Sequence, residues 1–337
     1  MQRGFLARGL LGLALIRRVG CLSNGVATIT SVKNAEILAA KRLCRSKRER
    51  DRSGLVFVEG IRLIQDILHA GHRPTSVFFC VERLVTPEAS ALLDEMLSID
   101  DCELRRITPQ VLESMVDTVT PQGLVALFPK PSQSLGPTPS RKDGSGEVLL
   151  LLDNIRDPGN MGTLLRSANA LGAKALVVYG GGCVDPWGPK VLRSSMGGAF
   201  HIPLCFAPAW SDVAAYLREE CKWDSAGVYA ADASHASARD YWDVDWTQGN
   251  HVICVGSEAH GLSSELAALM PKRSQAGHGG DMDNPTADQS LLEPVILPIQ
   301  VPMVASADSL NAAIAGSIIL SEVQRQRAKI NLSESGK

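Results

Sequence analysis

Five consecutive apolar residues, Val148 to Leu152, run straight into Asp153-Asn154 and then into Asp157-Pro158-Gly159. A short unbroken apolar run bounded by turn residues reads as a strand buried on both faces. Such strands belong to parallel sheets covered by helices. The Asp-Pro-Gly ends the strand in a turn. Leu164, Leu165, Ala168 and Leu171 follow at helical spacing, which predicts a helix over 162–171. Gly162, Arg166 and Asn169 share a different face of that helix. The strand therefore delivers Asn154 to its carboxyl end, and the helix brings Arg166 to the same edge. That edge is where open α/β sheets place their ligands.

The alternation continues on both sides of this unit, and 337 residues is room for about two domains. Over 147–330, strands are predicted at 148–152, 175–178, 228–231, 251–255 and 295–299. Helices are predicted at 162–171, 189–196, 210–220, 264–270 and 310–326. Strand and helix in turn predict an α/β domain with a mainly parallel sheet. Residues 271–293 break the pattern with a polar, glycine-containing stretch whose composition reads as a disordered insert. Residues 131–146 are rich in Pro, Ser and Gly and read as a linker. Before it, residues 36–130 read as a small α/β domain with strands near 55–58, 76–80, 103–107 and 123–128. Its first helix, 36–52, carries Lys41, Arg42, Arg45, Lys47, Arg48, Arg50 and Arg52. Those cations suit either a solvated face or an arm that touches phosphate. Residues 331–337 read as a tail.

A net charge of −2 excludes a generally basic nucleic-acid coat protein, so any nucleic-acid contact uses local patches. The eight cysteines form no C-x-x-C pair and no metal-like spacing with histidine, and read as reduced thiols with no metal site. No apolar run reaches spanning length, so no membrane span is expected. The opening is different. Residues 1–33 contain Arg3, Arg8, Arg17, Arg18 and Lys33 and no acid, the first being Glu36. An Arg-rich, acid-free start over 1–35 reads as a mitochondrial transit peptide and a matrix destination. The arginines directly after the apolar run 10–16 count against a secretory signal. No G-x-G-x-x-G or P-loop follows any strand, which excludes the common nucleotide folds.

Two more strand ends carry polar chemistry. One is Val255-Gly256-Ser257-Glu258-Ala259-His260-Gly261-Leu262-Ser263, in which Gly256 permits close backbone approach. The other runs from Val301-Pro302-Met303 to Ser309-Leu310-Asn311 and opens a helix rich in small residues. Taken in order, three sets of residues resemble the three motifs of the SpoU family of RNA ribose methyltransferases, in the SPOUT superfamily. They are Asn154…Asp157-Pro158-x-Asn160-x-Gly162…Arg166-x-Ala168, Gly256-Ser257-Glu258…Gly261-Leu262 and Val301-Pro302-Met303…Ser309-Leu310-Asn311. Residues 184–197 resemble the family's intervening helix, and 55–128 its small substrate-binding domain related to ribosomal protein L30e. The insert at 271–293 and Val301 in place of a frequent Ile depart from the pattern.

The resemblance implies a deep trefoil knot in the C-terminal domain, a homodimer, and S-adenosyl-L-methionine as cofactor. Backbone at Gly256, Val301 and Leu310 would hold that cofactor. Arg166 would act at the ribose oxygen, with Asn154, Glu258 and Asn311 orienting it, the ribose and the cofactor loop. His260 reads as a loop residue rather than a general base, and Arg193 as either an RNA contact or an ordinary surface arginine. The implied reaction is methylation of a ribose 2′-hydroxyl, on a guanosine of mitochondrial large-subunit ribosomal RNA. The alternatives are a non-catalytic ribosome assembly factor that binds ribosomal RNA and a transfer-RNA 2′-O-methyltransferase.

Overall fold

The computed structural model describes residues 27–132, 146–271, 290–292, 294–307 and 309–334. Most of the expected leader, linker and insert lies outside these residues. The chain divides into two bodies: residues up to 131 together with 187–200, and the remainder.

The first body opens with α1 (Ala35–Arg45) and α2 (Lys47–Ser53). The single helix expected over 36–52 is in fact two. Ser46 is extended, and its hydroxyl accepts from the Glu49 N–H at 3.3 Å. A serine that caps the next helix ends the previous one, and Asn34 caps α1 in the same way. There follow β1 (Leu55–Glu59), α3 (Ile61–His69), β2 (Ser76–Phe79), α4 (Pro87–Leu97), β3 (Glu103–Arg106), α5 (Pro109–Met115) and β4 (Leu124–Pro129). The sheet order is β1-β4-β2-β3, with β4 antiparallel to both neighbours and β2 parallel to β3. Residues 187–200 pack here. Phe200 meets His72, Phe128 and Trp187 edge-on, with ring centroids 5.2–5.7 Å apart. Gly197 (φ +78°) lies where a Cβ would come within 3.0 Å of Leu63. Arg193 does not stand free for RNA. Its Nη1 is 3.5 Å from the buried Glu59 carboxylate, which also accepts from Thr118. Burial pushes the Glu59 carboxyl up, and Thr118 and Arg193 oppose that shift.

The second body is a seven-stranded sheet, parallel at every pairing. Its elements are β5 (Val148–Asp153), α6 (Pro158–Ala170), β6 (Ala175–Tyr179), β7 (Leu204–Ala207), α7 (Trp210–Glu219), β8 (Gly227–Ala231), β9 (Arg239–Asp240), β10 (His251–Val255), α8 (Ser264–Ala267), β11 (Ile296–Gln300) and α9 (Ala312–Glu334). The order is β7-β6-β5-β10-β8-β11-β9. The chain leaves β5 toward β6 on one side, while β10 pairs on the other. Loops splay apart at such a reversal and leave a crevice at the carboxyl ends. The short edge strands β7 and β9 were not expected. The helix after β5 starts at Pro158 rather than Gly162, because Asp157 caps it by accepting from the Asn160 N–H at 2.8 Å. Asp at the cap and Pro at the first helical position are a strong start signal.

The small residues of α9 serve close packing. A Cβ on Gly316 would come within 2.8 Å of Leu164 on α6 and 3.1 Å of Val255 on β10. The Ser317 and Ser167 hydroxyls meet at 2.7 Å across the same contact. The far end of the 271–293 stretch is ordered: Leu291 is 2% exposed in the core, and its carbonyl accepts from Trp210 Nε1 at 2.9 Å. Among the described residues no helix is long and apolar enough to cross a membrane, and no group of side chains could hold a metal ion.

Candidate active site

The carboxyl end of β5 is clamped before it turns. Asp153 is buried, and its carboxylate accepts from the Asn154 side-chain amide at 3.0 Å and from the Ser263 N–H. This ties β5 to the loop after β10. Asn154 is left-handed, with φ +57°, a conformation asparagine enters more readily than most residues. Gly182 lies against it: a Cβ there would fall 1.8 Å from Asn154 Oδ1. Cys183 latches the same corner, accepting from the Ile155 N–H and donating to the Leu152 carbonyl, each at 3.3 Å.

Beside this corner the three polar segments join through side chains. Asn160, on the first turn of α6, donates to Glu258 Oε1 at 2.9 Å. Its own carbonyl oxygen accepts from Asn311 Nδ2 at 2.8 Å. Glu258 Oε1 also accepts from the Ala312 N–H at 3.1 Å. Asn311 caps α9, its Oδ1 accepting from the N–H groups of Ala313 and Ile314 at 2.9 and 3.1 Å. A carboxylate at a helix N-terminus is favoured by the helix dipole as well as by the hydrogen bond. Asn160 is thus the hub, a role its place in the sequence did not show. Asp153 gave one faint signal, a charged residue ending an apolar run.

Next to the network is a cavity of about 530 Å³, walled by the carboxyl ends of β8, β10 and β11 and by the start of α9. Gly256, Val301, Leu310 and Glu258 line it, as does His260. Asn154, Arg166 and Asn311 do not. Gly256 is required by its own turn: a Cβ would come within 2.5 Å of the Gly261 backbone, which folds back to pair with Ser257. Among the described residues the cavity walls carry the carboxylates of Asp232 and Glu258 and no lysine or arginine. Arg166 is exposed on α6 and has no hydrogen bond or ion pair among the described residues. It sits nine residues after the cap Asp157, so it is about 13 Å along the axis from it. Arg166 makes no hydrogen bond to Asn154, whose side-chain amide is held by Asp153.

The arrangement offers a hydrogen-bonded polar rim, a cavity of mixed apolar and acidic lining and a solvent-facing guanidinium. Comparison with known proteins agrees with it. The model of the SpoU rRNA Methylase family matches residues 147–275, and that of an MRM3-like substrate binding domain matches 34–126. The chain is 32% identical to rRNA methyltransferase 3A, mitochondrial, of Danio rerio, over 84% of this chain and 67% of that protein. The SpoU methyltransferase AviRb of Streptomyces viridochromogenes, solved with the cofactor AdoMet, is similar with a TM-score of 0.70 and 27% identity, covering 88% of this chain and 99% of that one. A solved RNA 2′-O ribose methyltransferase is similar with a TM-score of 0.64 and 28% identity, covering 90% of this chain and all of that one.

Proposed function

Because the chain belongs to the SpoU rRNA methylase family, we propose that it methylates a ribose 2′-hydroxyl of mitochondrial large-subunit ribosomal RNA, on a guanosine, using S-adenosyl-L-methionine. It is an RNA methyltransferase. The cofactor fits the site. A cavity of about 530 Å³ is of ordinary ligand size. Its apolar side chains, among them Val255, Leu262, Ile299 and Leu310, suit an adenine, and its two carboxylates suit a ligand that is positively charged and carries no phosphate. Backbone at Gly256, Val301 and Leu310 would hold it. When bound, it supplies an electrophilic methyl group on a cationic sulfur.

The chain's own residues do the rest. A ribose hydroxyl is a poor nucleophile until its proton is lost or shared. Arg166 cannot take that proton, since a guanidinium keeps its own far above neutral pH. Its role is to grip a neighbouring phosphate and stabilise negative charge growing on the oxygen. Exposure, and the absence of a partner among the described residues, leave the guanidinium available for this. The Asn160–Glu258–Asn311 network fixes the start of α9, and with it the loop that would cover the cofactor. Asn154, held left-handed, completes the rim. A homodimer would bring a second copy to the face where Ile314, 47% exposed, stands beside Asn311. The threaded knot belongs to the same reading.

The observation that carries the proposal is the convergence of three distant segments on one hydrogen-bonded network at the mouth of the cavity. Mapping 2′-O-methylation in mitochondrial ribosomal RNA from cells lacking the protein tests it. One ribose of the large-subunit RNA should lose its methyl group. An unchanged map alongside defective ribosome assembly would point to the non-catalytic alternative, and a loss confined to transfer RNA to the other.

A further inference from the structure

Asp232 is a carboxylate on the cavity wall that none of the three sequence motifs contains. It follows Ala231 at the carboxyl end of β8, one strand away from β10 and its Gly256 turn. Its position is fixed twice. The Asp232 N–H donates to the Ile299 carbonyl of β11 at 2.9 Å. Its Oδ1 accepts from the Ser234 N–H at 2.9 Å and from the Ser234 hydroxyl at 2.6 Å. The turn thus occupies one carboxylate oxygen, and the other carries no hydrogen bond among the described residues. The second carboxylate on the wall differs. Glu258 Oε1 is committed to Asn160 and Ala312, on the rim. Among the described residues no lysine or arginine lines the cavity, and Asp232 makes no ion pair.

An uncompensated carboxylate on the wall of a partly desolvated cavity favours cationic ligands over neutral ones of the same shape. It also repels phosphate, so ATP and dinucleotides are poor occupants although they carry the same adenosine. We propose that Asp232 is a specificity-determining residue that makes this pocket prefer the sulfonium cofactor to its product, S-adenosylhomocysteine. That product keeps every hydrogen-bonding group and lacks only the methyl group and the positive charge it gave the sulfur. The consequence is directional: transfer of the methyl group removes the charge that Asp232 favours, so the spent cofactor leaves more readily. This rests on the cofactor reading above.

Asp232→Asn keeps the size of the side chain and an oxygen for Ser234 while removing the charge. Titration calorimetry of wild type and variant with S-adenosylmethionine and with S-adenosylhomocysteine reads the effect without any methyl transfer. The variant should bind the sulfonium about five- to ten-fold more weakly, which is the Coulomb effect expected for one charge several ångströms away at an effective dielectric near 40. Its affinity for the product, whose sulfur is neutral, should change less than two-fold. Equal weakening for both ligands would overturn the proposal and mark Asp232 as a contact to the shared adenosine or amino-acid part. No weakening for either would overturn it as well. Should Asp232→Asn fail to fold, Asp232→Ser is the replacement and the same ratio decides. If wild type itself binds neither ligand, the cofactor reading fails first.

Discussion

The two ends of the large sheet are built from similar residue types put to opposite use, and α9 serves both. At the carboxyl end, the polar side chains of Asn160, Glu258 and Asn311 sit at the surface beside an open cavity. At the amino end, His251 starts β10 with 1% of its surface exposed, between Tyr229 and Trp246 at ring distances of 5.8 and 5.1 Å. Asn311 caps α9 at the first end. Near the second, Gln326 accepts from the Trp246 N–H at 3.0 Å, and the buried Arg327 Nε donates to the Trp246 carbonyl at 2.9 Å. The lesson is that a polar residue in this fold is legible as functional only when its partners leave it facing solvent or a cavity. Enclosed among aromatic rings, the same chemistry seals the sheet.

Arg166→Ala breaks the comparison at its active end and should have the largest effect. Single-turnover methyl transfer should fall by about 10²–10³, the cost of losing one donor to a developing oxyanion. Cofactor titration and thermal melting should be nearly unchanged, because the side chain neither lines the cavity nor packs. Arg166→Lys should rescue poorly, since a point charge does not reproduce a planar two-pronged contact.

Arg327→Ala should reverse that pattern. Truncating a buried cation that donates to a buried carbonyl should cost about 3 kcal/mol of stability, read from chemical denaturation. Methyl transfer per folded molecule should stay at the wild-type rate. A variant that melts normally but loses activity would erase the division between the two ends.

Much of this was legible in the sequence, but unevenly. Strands β5, β6, β8, β10 and β11 are short apolar runs buried on both faces, so periodicity alone located them. The strand β7 is four residues between Pro203 and Pro208, and β9 is two residues at an edge. Neither is long enough to carry a pattern. The break at Ser46 and the true start of α6 depended on single capping side chains, which a hydrophobic period does not register. Glu258 and Asn311 stood out beside their strand ends. Their link through Asn160 did not, because it joins residues 98 and 151 positions apart. The aromatic seal was invisible for the same reason, with Trp246 and Arg327 separated by 81 positions. Arg193, read as an RNA contact or an ordinary surface arginine, is occupied by Glu59, a partner that only the fold brings near.

Acid should sharpen the comparison. Burial, and then the charge of Arg327, push the His251 imidazole down to about 4. The unfolded chain takes up a proton near pH 6.5 that the native protein refuses until about pH 4. Stability is therefore complete above pH 6.5 and declines as the pH falls, by about 2 kcal/mol at pH 5. His251→Phe, which keeps the ring stack, should flatten that slope in a series of denaturation curves between pH 4 and 7. A slope that survives the substitution would place the proton elsewhere.

The smallest effect belongs to the segment before β11. Replacing residues 272–289 with a short Gly-Ser bridge should change the unfolding free energy by less than about 1 kcal/mol, because closing a shorter loop alters its entropy only slightly. The deletion must stop short of Leu291, whose side chain is in the core. A larger loss would assign part of the seal at the amino end to that segment.

The most direct measurement incubates the purified protein with methyl-labelled S-adenosylmethionine and a transcript of mitochondrial large-subunit ribosomal RNA, then locates the label by nuclease digestion. The expected result is one labelled ribose 2′-oxygen, its neighbouring linkage resistant to alkali, and no such product from Arg166→Ala. Label on a base, or cofactor binding without any transfer to this RNA, would contradict the assignment of the carboxyl end as a ribose methylation site.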